Sequence, residues 1–361
     1  MTSKEFIKAG LKKWLTGACD QMKNILVTGG TGYIGSHTAV ELLKKDYNVF
    51  IVDNLSNSRR EVLDSIEKIT GRKPSFHQFD LCDRKSVQEF FSRNRIDATI
   101  HFAAFKAVGE SVADPLLYYR NNLETLINIL EVYRDNSLDN FLFSSSCSVY
   151  GDQSRQPIDE TAPLAKAESP YGNTKQIGEE ILADTIRVNK FSGIALRYFN
   201  PAGAHESGLI GEYPLHPPSN LVPVITQTAI GKRASMTIFG SDYDTPDGTC
   251  IRDYIHVVDI AKAHIIAMER LLDKKNKKPF EIFNLGTGEG NTVLQAIQAF
   301  EKVTGVRLNY QTGARRPGDV VKVWADTTLA NSELGWKAGQ TLEDIMRSAW
   351  KWENQLSKVL I

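Results

Sequence analysis

The fold is decided by Asn24-Ile-Leu-Val-Thr28 and the glycine-rich stretch that follows it, Gly29-Gly-Thr-Gly32-Tyr-Ile-Gly35. The apolar run predicts a buried strand of a parallel sheet, and the amphipathic segment 36–45 predicts a helix. Glycines between a strand and a helix permit a tight turn and bring backbone amides close to a pyrophosphate at the positive helix end. The stretch therefore predicts a dinucleotide site, although a plain turn or bulge uses the same residues.

The second strand is predicted over Asn48-Val-Phe-Ile-Val52, and it ends on Asp53, 18 positions beyond Gly35. At this point a dinucleotide fold needs a carboxylate that accepts hydrogen bonds from the adenosine ribose. Because a carboxylate repels a 2′-phosphate, the sequence predicts NAD rather than NADP. Arg59 and Arg60 lie nearby and leave NADP open, but we interpret them as the solvated start of the next helix.

Further strands are predicted over 75–79, 98–102 and 140–144, with helical patterns between them. This alternation is typical of an α/β fold with a Rossmann-type doubly wound parallel sheet. Ligands of such sheets lie at the carboxyl ends of the strands, where Asp80 and Ala103 are found. Asp80 has a second interpretation, as the N-cap of a helix over 83–91.

Tyr171 and Lys175 lie one turn apart on the same face of a predicted helix. A phenol has an unperturbed pKa of about 10, and a cation held close to it favours the phenolate and lowers that value. The pair therefore predicts a base that takes a proton from an alcohol during its oxidation.

Several motifs together resemble the extended short-chain dehydrogenase/reductase family, and within it the UDP-hexose 4-epimerases. They are Gly29-x-x-Gly32-x-x-Gly35, Ser144-Ser-Ser-Cys-Ser-Val-Tyr-Gly151, Tyr171-x-x-x-Lys175, Arg197-Tyr-Phe-Asn-Pro-Ala-Gly203, Pro218-Ser-Asn-Leu-Val-Pro223, Arg252-Asp-Tyr-Ile-His-Val257, Asn284-Leu-Gly-Thr-Gly288 and Arg315-Arg-Pro-Gly-Asp319. The resemblance runs from about Met22 to the C-terminus, and the motifs occur in the order and spacing of the family.

The resemblance implies a reaction and three catalytic residues. Tyr171 takes the proton from the 4-hydroxyl of the sugar while hydride leaves carbon 4. Lys175 lowers the pKa of Tyr171 and holds the nicotinamide ribose, and Ser146 hydrogen-bonds the same hydroxyl and relays the proton. The 4-keto sugar then turns over and receives the hydride on its other face, so NAD is regenerated and retained.

The resemblance also implies the residues of the cofactor and substrate sites. Those for NAD are Gly29, Gly32, Tyr33, Ile34, Gly35, Asp53, Asn54, Asn57, Ser58, Asp80, Leu81, Phe102, Ala103, Ala104, Lys106, Asn121, Ser144, Tyr171, Lys175, Tyr198 and Phe199. Those for the UDP-hexose are Lys106, Ser146, Tyr171, Asn200, Asn220, Leu221, Phe239, Arg252, Arg316, Asp319 and Val323. Within this set, Arg252 and Arg316 suit the diphosphate, because guanidinium groups make directed bonds to phosphate oxygens.

Val323 departs from the family pattern, since members restricted to plain hexoses often carry tyrosine beside the 2-position of the sugar. Valine is smaller, and we therefore hypothesise that UDP-GlcNAc and UDP-GalNAc are also interconverted. The alternative is that neighbouring side chains fill the gap.

The predicted domains are an extension over 1–22, an NAD-binding domain over 23–200 completed by about 252–272, and a smaller mixed α/β substrate domain over 201–251 and 273–361. In the extension, residues 1–21 carry an apolar stripe opposite lysines, which suits a helix on a membrane or partner. An upstream start codon or a passive docked helix is the other interpretation. Family resemblance suggests a homodimer through helices near 115–134 and 171–190.

Composition excludes several classes of function. The 43 Lys and Arg residues balance the 43 Asp and Glu residues, so no net charge attracts nucleic acid or an acidic membrane. We find no apolar run near the ~18 residues of a membrane span. The cysteines Cys19, Cys82, Cys147 and Cys250 lack metal-ligand spacing, which predicts a reduced cytoplasmic protein without a metal.

Two other functions remain open. A nucleotide-sugar 4,6-dehydratase shares the fold, Tyr171 and Lys175, but that family places Asp-Glu just after the active-site hydroxyl residue. Here Cys147 and Ser148 follow Ser146, which argues against dehydration. A non-catalytic NAD-binding regulator on the same fold typically loses the tyrosine or the lysine, and this chain retains both.

Overall fold

The structure is a computed structural model that describes residues 22–215, 217–316 and 320–359. The predicted N-terminal extension and Asp319, a predicted substrate residue, lie outside the described residues, apart from Met22.

The described chain alternates strands and helices along the large sheet and then becomes less regular. The helices are α1 (Tyr33–Lys44), α2 (Val62–Thr70), α3 (Arg84–Arg93), α4 (Val108–Ala113), α5 (Pro115–Asn136), α6 (Pro170–Val188), α7 (Leu221–Ala229), α8 (Val257–Leu272), α9 (Val293–Thr304) and α10 (Leu342–Val359). The strands are β1 (Asn24–Thr28), β2 (Asn48–Asp53), β3 (Ser75–Gln78), β4 (Ala98–His101), β5 (Asn140–Ser146), β6 (Ser192–Tyr198), β7 (Asn200–Ala202), β8 (Met236–Phe239), β9 (Ile251–Arg252), β10 (Tyr254–His256), β11 (Phe280–Leu285), β12 (Asn291–Thr292), β13 (Tyr310–Gly313) and β14 (Lys322–Val323).

The large sheet has seven strands in the order β11-β6-β5-β4-β1-β2-β3, and every neighbouring pair is parallel. The direction of winding reverses between β1 and β4, where Thr28 is paired with His101. Ligands bind at this switch point in doubly wound sheets. The predicted fold class is confirmed.

The sheet is covered on both faces, which explains why its strands are continuous apolar runs. In β1, Ile25 and Val27 belong to the core cluster that includes buried residues of α1 and α8, such as Leu42 and Ile260. Leu26 belongs to the opposite cluster, with α3, α5 and α6. Successive side chains of one strand thus pack alternately against the helices on the two faces of the sheet.

A third core lies in the smaller part of the molecule, where α7, α9 and α10 pack around β8. The segment 252–272 contacts the first region, because α8 packs on α1. The strand β11 corrects the predicted boundary. The sequence assigned 273–361 to the substrate domain, but β11 is the edge strand of the large sheet and pairs with β6 from Phe280 to Leu285.

Within the described residues, no helix combines the length and the apolar character needed to cross a membrane.

Candidate active site

The glycine turn between β1 and α1 has the geometry that a phosphate cradle requires. Gly29 has a φ of +67°, and a Cβ there would lie 2.9 Å from the backbone nitrogen of Ala103. A Cβ on Gly35 would lie 2.3 Å from the carbonyl oxygen of Gly29. No side chain caps the start of α1, whose N-cap is Gly32. The first-turn amides can therefore bind an anion, with Tyr33 and Ile34 in the same turn.

Asp53 ends β2 and fixes the glycine turn through its carboxylate. One oxygen accepts from the Thr31 amide at 3.2 Å, and the other accepts from Ser58 Oγ at 3.1 Å. Thr31 Oγ1 lies 2.7 Å from Ser58 Oγ and closes the arrangement. Because a carboxylate oxygen accepts more than one hydrogen bond, Asp53 keeps acceptor capacity for ribose hydroxyls.

Asp80 lies beside the same site and is not a helix cap. Its carboxylate accepts from Asn54 Nδ2 at 3.1 Å and from the Cys82 amide at 2.8 Å. The N-cap of α3 is Asp83, which accepts from the Lys85 amide, so the cap interpretation of Asp80 is wrong.

Arg59 and Arg60 are both engaged with aromatic rings. The guanidinium carbon of Arg59 lies 4.3 Å from the centre of the Tyr213 ring, and that of Arg60 lies 5.2 Å from the Phe76 ring. Both guanidinium groups are thus already engaged, and neither is oriented as a dedicated ligand for the 2′-phosphate of NADP. Asn57 is exposed on the loop before them.

Other predicted cofactor residues line or support the cleft by different means. Ala103 donates its amide to Thr28 Oγ1 at 3.3 Å, and Phe102 packs against the His264 ring. Leu81 and Phe199 are buried in core clusters and support the cleft from beneath its surface. Ala104 is half-buried in the loop after β4.

Asn122, rather than its neighbour Asn121, fastens the loop that follows β4. Asn122 Oδ1 accepts from the Phe105 amide at 2.8 Å, and its Nδ2 donates to Phe105 O and to Thr174 Oγ1 on α6. Asn121 donates to Asn122 Oδ1 at 3.0 Å. The sequence pointed to the correct helix turn but missed Asn122.

The helix α6 carries Tyr171 and Lys175 and is fixed firmly at its start. Ser169 is the N-cap and accepts from the Gly172 amide at 3.1 Å, and Pro170 occupies the first turn. Further along, a Cβ on Gly178 would lie 2.7 Å from the Phe143 ring, so glycine lets α6 approach β5 closely.

The end of β5 presents three serines to α6. Lys175 Nζ donates to the carbonyl oxygen of Ser144 at 2.7 Å. Ser146 lies close enough to Tyr171 to act on the pKa of the phenol, and Ser146 Oγ accepts from Ser148 Oγ at 3.0 Å. Ser144 Oγ also bonds the hydroxyl of Tyr198 on β6. The structure therefore brings the three predicted catalytic residues together.

Burial dominates the electrostatics of this pair. It raises the pKa of Tyr171 to about 12, while the hydrogen bond with Ser146 acts in the opposite direction. It lowers the pKa of Lys175 to about 8, against the attraction of Glu179. The sequence predicted a lowered pKa for Tyr171, and the structure gives the opposite sign. The ammonium lies 5.9 Å from the centre of the Tyr171 ring, and desolvation outweighs it.

Predicted substrate residues meet in two separate places. The guanidinium carbon of Arg316 lies 5.6 Å from the centre of the Phe239 ring, and both side chains are exposed. Arg252 on β9 is paired with Val323 on β14. It acts electrostatically on Cys147, which follows Ser146. Arg252 thus lies on the catalytic side of the cleft, and Arg316 lies with Phe239.

Glu212 joins two predicted ligand residues and was missed by the sequence. Its Oε1 accepts from Lys106 Nζ and from Asn220 Nδ2, each at 2.8 Å. Asn220 is the N-cap of α7, whose first residue is Leu221. Asn200 on β7 has a buried side-chain oxygen without a hydrogen-bond partner, which is a suitable acceptor for a ligand donor.

Among the described residues, no group of three or more His, Cys, Asp or Glu side chains is placed to hold a metal ion.

Comparison with known proteins relates this arrangement to one family. The model of the family described as NAD dependent epimerase/dehydratase matches residues 25–286. A UDP-glucose 4-epimerase of Schizosaccharomyces pombe is 49% identical over 92% of the chain and 94% of its own length. A solved UDP-glucose 4-epimerase from Stenotrophomonas maltophila, with bound NAD and formylated UDP-arabinopyranose, has a TM-score of 0.90, 46% identity and coverage of 93% of this chain and 99% of its own. One from Bifidobacterium longum, in complex with NAD+ and UDP, has a TM-score of 0.88, 43% identity and coverage of 92% and 98%.

Proposed function

The chain belongs to the NAD dependent epimerase/dehydratase family, and we propose on this premise that it inverts carbon 4 of UDP-galactose and UDP-glucose through a transient 4-keto sugar. The observation that carries the proposal is the junction of β5 and α6. There a buried ammonium, a phenol and a serine hydroxyl lie together, with the serine hydroxyl close enough to lower the pKa of the phenol.

The residues of the cleft fit NAD. The glycine turn leaves no room for a Cβ at Gly35, and the uncapped start of α1 offers amides to a pyrophosphate. Asp53 suits the adenosine ribose and would repel a 2′-phosphate. When bound, NAD would supply the acceptor for the hydride of carbon 4, and its positively charged nicotinamide ring would lower the pKa of Tyr171.

Proton transfer falls to Tyr171 and Ser146. The tyrosine takes the proton of the 4-hydroxyl as carbon 4 is oxidised and gives it back when the ketone is reduced. Ser146 lies close enough to Tyr171 to lower the pKa of the phenol, so the serine hydroxyl would share or relay that proton. The serine hydroxyl is held by Ser148 in turn.

Lys175 supplies a positive charge beside the phenol. Its ammonium is anchored on the carbonyl oxygen of Ser144, and at neutral pH it is protonated because its pKa, lowered to about 8 by burial, still lies above 7. The charge favours the phenolate that forms during the reaction.

Inversion requires that the sugar turns over while the UDP half stays in place. Arg252 and Arg316 would hold the diphosphate, and Phe239 would stack on the uracil beside Arg316. Asn200 and Asn220 would hydrogen-bond phosphate or uridine, and the unpartnered oxygen of Asn200 suits a donor of the substrate. Asp319 would accept from the uridine ribose.

The decisive experiment incubates the purified protein with UDP-galactose without added NAD and follows UDP-glucose by chromatography. We expect conversion by wild type and a loss of about 10²–10⁴-fold in kcat for Tyr171→Phe, the usual contribution of a positioned proton-transfer group. A persistent keto-deoxy sugar would instead establish a dehydratase. Tight NAD without turnover of any nucleotide sugar would establish a regulator.

The dehydratase alternative is disfavoured by the residue after Ser146. Elimination of water needs an added acid and base, and burial raises the pKa of the Cys147 thiol to about 12. A thiol with this pKa is protonated at neutral pH and is a poor base.

A second activity, on UDP-GlcNAc and UDP-GalNAc, is proposed because of Val323. Its side chain is half-buried and packs against the core cluster that includes Val149 and Tyr150, as Cys147 does. A tyrosine there would fill volume that valine leaves free. We expect wild type to convert UDP-GalNAc and Val323→Tyr to lose this activity while it retains UDP-galactose turnover. Failure of wild type to convert UDP-GalNAc would end this proposal alone.

We also propose a homodimer through α5 and α6 in the cytoplasm. Leu116 on α5 and Val188 on α6 are 74% and 76% exposed, which suits burial against a second copy. Sedimentation analysis of wild type and Leu116→Lys tests this, with a dimer expected for wild type and a shift to monomer for the variant.

A further inference from the structure

A buried ion pair lies directly behind the catalytic lysine, between α6 and β6. Glu179 and Arg197 have side chains only 5% and 4% exposed. Arg197 donates from Nε and Nη2 to the two carboxylate oxygens, at 2.9 and 2.5 Å. Such a bidentate pair has a fixed geometry, and removal of one member leaves the other as an uncompensated buried charge.

Glu179 extends the catalytic stripe of α6 by one further turn. Tyr171, Lys175 and Glu179 are spaced four residues apart, so they lie on one face of the helix. Each bonds the end of β5. Tyr171 meets Ser146 and Lys175 meets the carbonyl of Ser144.

Ser145 completes the set, because its hydroxyl donates to Glu179 Oε1 at 2.5 Å. The carboxylate of Glu179 therefore holds Ser145, which lies between Ser144 and Ser146, the two residues that contact Lys175 and Tyr171. A strand end held in this way cannot twist without moving both the carbonyl that receives Lys175 and the hydroxyl that meets Tyr171.

The pair is braced from a further strand. The guanidinium carbon of Arg197 lies 4.8 Å from the centre of the Tyr150 ring. Tyr150 donates its hydroxyl to Asn284 Oδ1 on β11 at 2.7 Å. The network thus links α6, β5, β6, β11 and the turn 147–150 behind the site.

The charge of Glu179 also acts on Lys175. The charged and titratable groups that face the ammonium or its partners are Tyr171 and Glu179 on α6, His101 on β4, Arg197 and Tyr198 on β6, and Cys147. Burial lowers the pKa of His101 to about 3 and raises those of Tyr171 and Tyr198 well above 7, so these groups are neutral. Within this set, Glu179 bears the negative charge that favours the protonated lysine.

We propose that Glu179 is a positioning residue of the reaction, which holds the end of β5 against α6 and keeps the ammonium of Lys175 protonated. The inference rests on the proposed function, and turnover of UDP-galactose by wild type tests that function first and separately. If wild type turns over, the variants below test Glu179 alone.

The experiment measures kcat and KM for UDP-galactose against pH in the NAD-containing protein. In Glu179→Gln, Lys175 loses its proton at lower pH, so the alkaline limb of the kcat profile is expected to move down by about 1 unit, the low end of what a neighbouring opposite charge contributes. At a pH on the limb this is a loss of about tenfold in kcat, with KM changed by less than about twofold, since the carboxylate does not face the UDP residues.

The matched control is Glu281→Gln, which breaks a second buried pair with similar geometry. Arg270 donates from Nε and Nη2 to Glu281 at 2.7 and 2.9 Å, and their side chains are 10% and 8% exposed. Glu281 lies on β11, away from the lysine. We expect this variant to lose thermal stability as Glu179→Gln does, and to keep the alkaline limb of wild type.

Two more variants keep the test decisive if Glu179→Gln does not fold. Glu179→Gln combined with Arg197→Gln leaves no lone charge and is expected to shift the limb in the same direction but by less, because the positive charge of Arg197 is removed as well. Glu179→Asp retains the charge and is expected to restore the limb to its wild-type position. An unmoved limb in a folded Gln variant, single or double, would overturn the proposal and leave Glu179 a purely structural residue. So would a limb that Glu179→Asp shifts as far as Gln does.

Discussion

The two sides of the cleft are built differently. On the cofactor side, the functional groups are close-packed parts of the core, such as Gly35 and Lys175. On the substrate side they are exposed side chains on separate elements, such as Arg316, Phe239 and Asn220. Function and stability are therefore coupled on the cofactor side, whereas on the substrate side they can be changed independently.

The largest expected effect comes from Gly35→Ala on the cofactor side. The new Cβ would lie 2.3 Å from the carbonyl oxygen of Gly29, so the turn must move. We expect a loss of about 3 kcal/mol in the free energy of unfolding together with loss of copurified NAD. Urea unfolding and the cofactor content after denaturation measure both. Gly71→Ala is the matched control for thermal stability, since a Cβ there meets nothing within 4 Å, although its φ of +69° adds local strain. If Gly35→Ala retained NAD, the claim that the glycine turn binds the pyrophosphate would be contradicted.

Lys175→Met should separate stability from activity on the same side. Burial lowers the pKa of Lys175 to about 8 from its usual value of 10.5, so the charged form is penalised in the folded protein. Between these values the unfolded chain binds more protons, and the free energy of unfolding rises with pH. Below pH 8 the full penalty is present.

For the cofactor-stripped protein, we therefore expect Lys175→Met to raise the free energy of unfolding at pH 7 by up to about 3 kcal/mol, at 1.36 kcal/mol for each pKa unit. The advantage should shrink as the pH rises from 8 toward 10.5, while turnover is lost at every pH. Lys73→Met is the control, because Lys73 is 63% exposed in its pair with Glu67. A gain in the free energy of unfolding that does not depend on pH would contradict the lowered pKa of Lys175.

Arg316→Ala should affect the substrate side without a cost in stability. An arginine that grips a diphosphate contributes about 2–3 kcal/mol, so KM for UDP-galactose should rise about 30–150-fold with an unchanged melting temperature. Arg315→Ala is the neighbour control, since Arg315 donates to Asp242 at 2.8 Å and lies over the Tyr243 ring. Equal effects of the two variants would show that Arg316 has no special role.

The smallest expected effect is that of Asn220→Ala. A neutral hydrogen bond contributes about 1 kcal/mol, so KM should rise about fivefold. Isothermal titration of UDP checks the change. Asn276→Ala, at a half-buried amide that donates to Lys278 O at 2.9 Å and to Ser192 Oγ at 3.2 Å, should leave UDP affinity unchanged. If Asn220→Ala lowered the melting temperature substantially, function and stability could not be changed independently on the substrate side.

The sequence predicted most of the cofactor side because its signals are local. The apolar run 24–28, the glycines and Asp53 follow one another within one βαβ unit, and each residue type answers a steric or charge requirement. Tyr171 and Lys175 are likewise fixed by helical spacing. In the structure, both lie on α6, with the ammonium of Lys175 5.9 Å from the centre of the Tyr171 ring.

The sequence predictions were wrong where the outcome depends on contacts between segments that are distant in the chain. Placement of β11 in the large sheet depends on pairing with β6, which no local pattern encodes. The role of Asp83 as the cap of α3, in place of Asp80, depends on where the chain leaves β3. The direction of the Tyr171 pKa depends on burial, which outweighs a neighbouring charge that the sequence does show.

By itself, the sequence determined the order of elements, the doubly wound class, the glycine cradle and the catalytic pair, because hydrophobic period, missing Cβ atoms and helical spacing act over short stretches. Only the tertiary structure decided that Glu179 reaches Arg197 and Ser145, and that Glu212 joins Lys106 to Asn220. Desolvation and ion pairing depend on what surrounds a group in space. That environment is assembled from residues far apart in the chain.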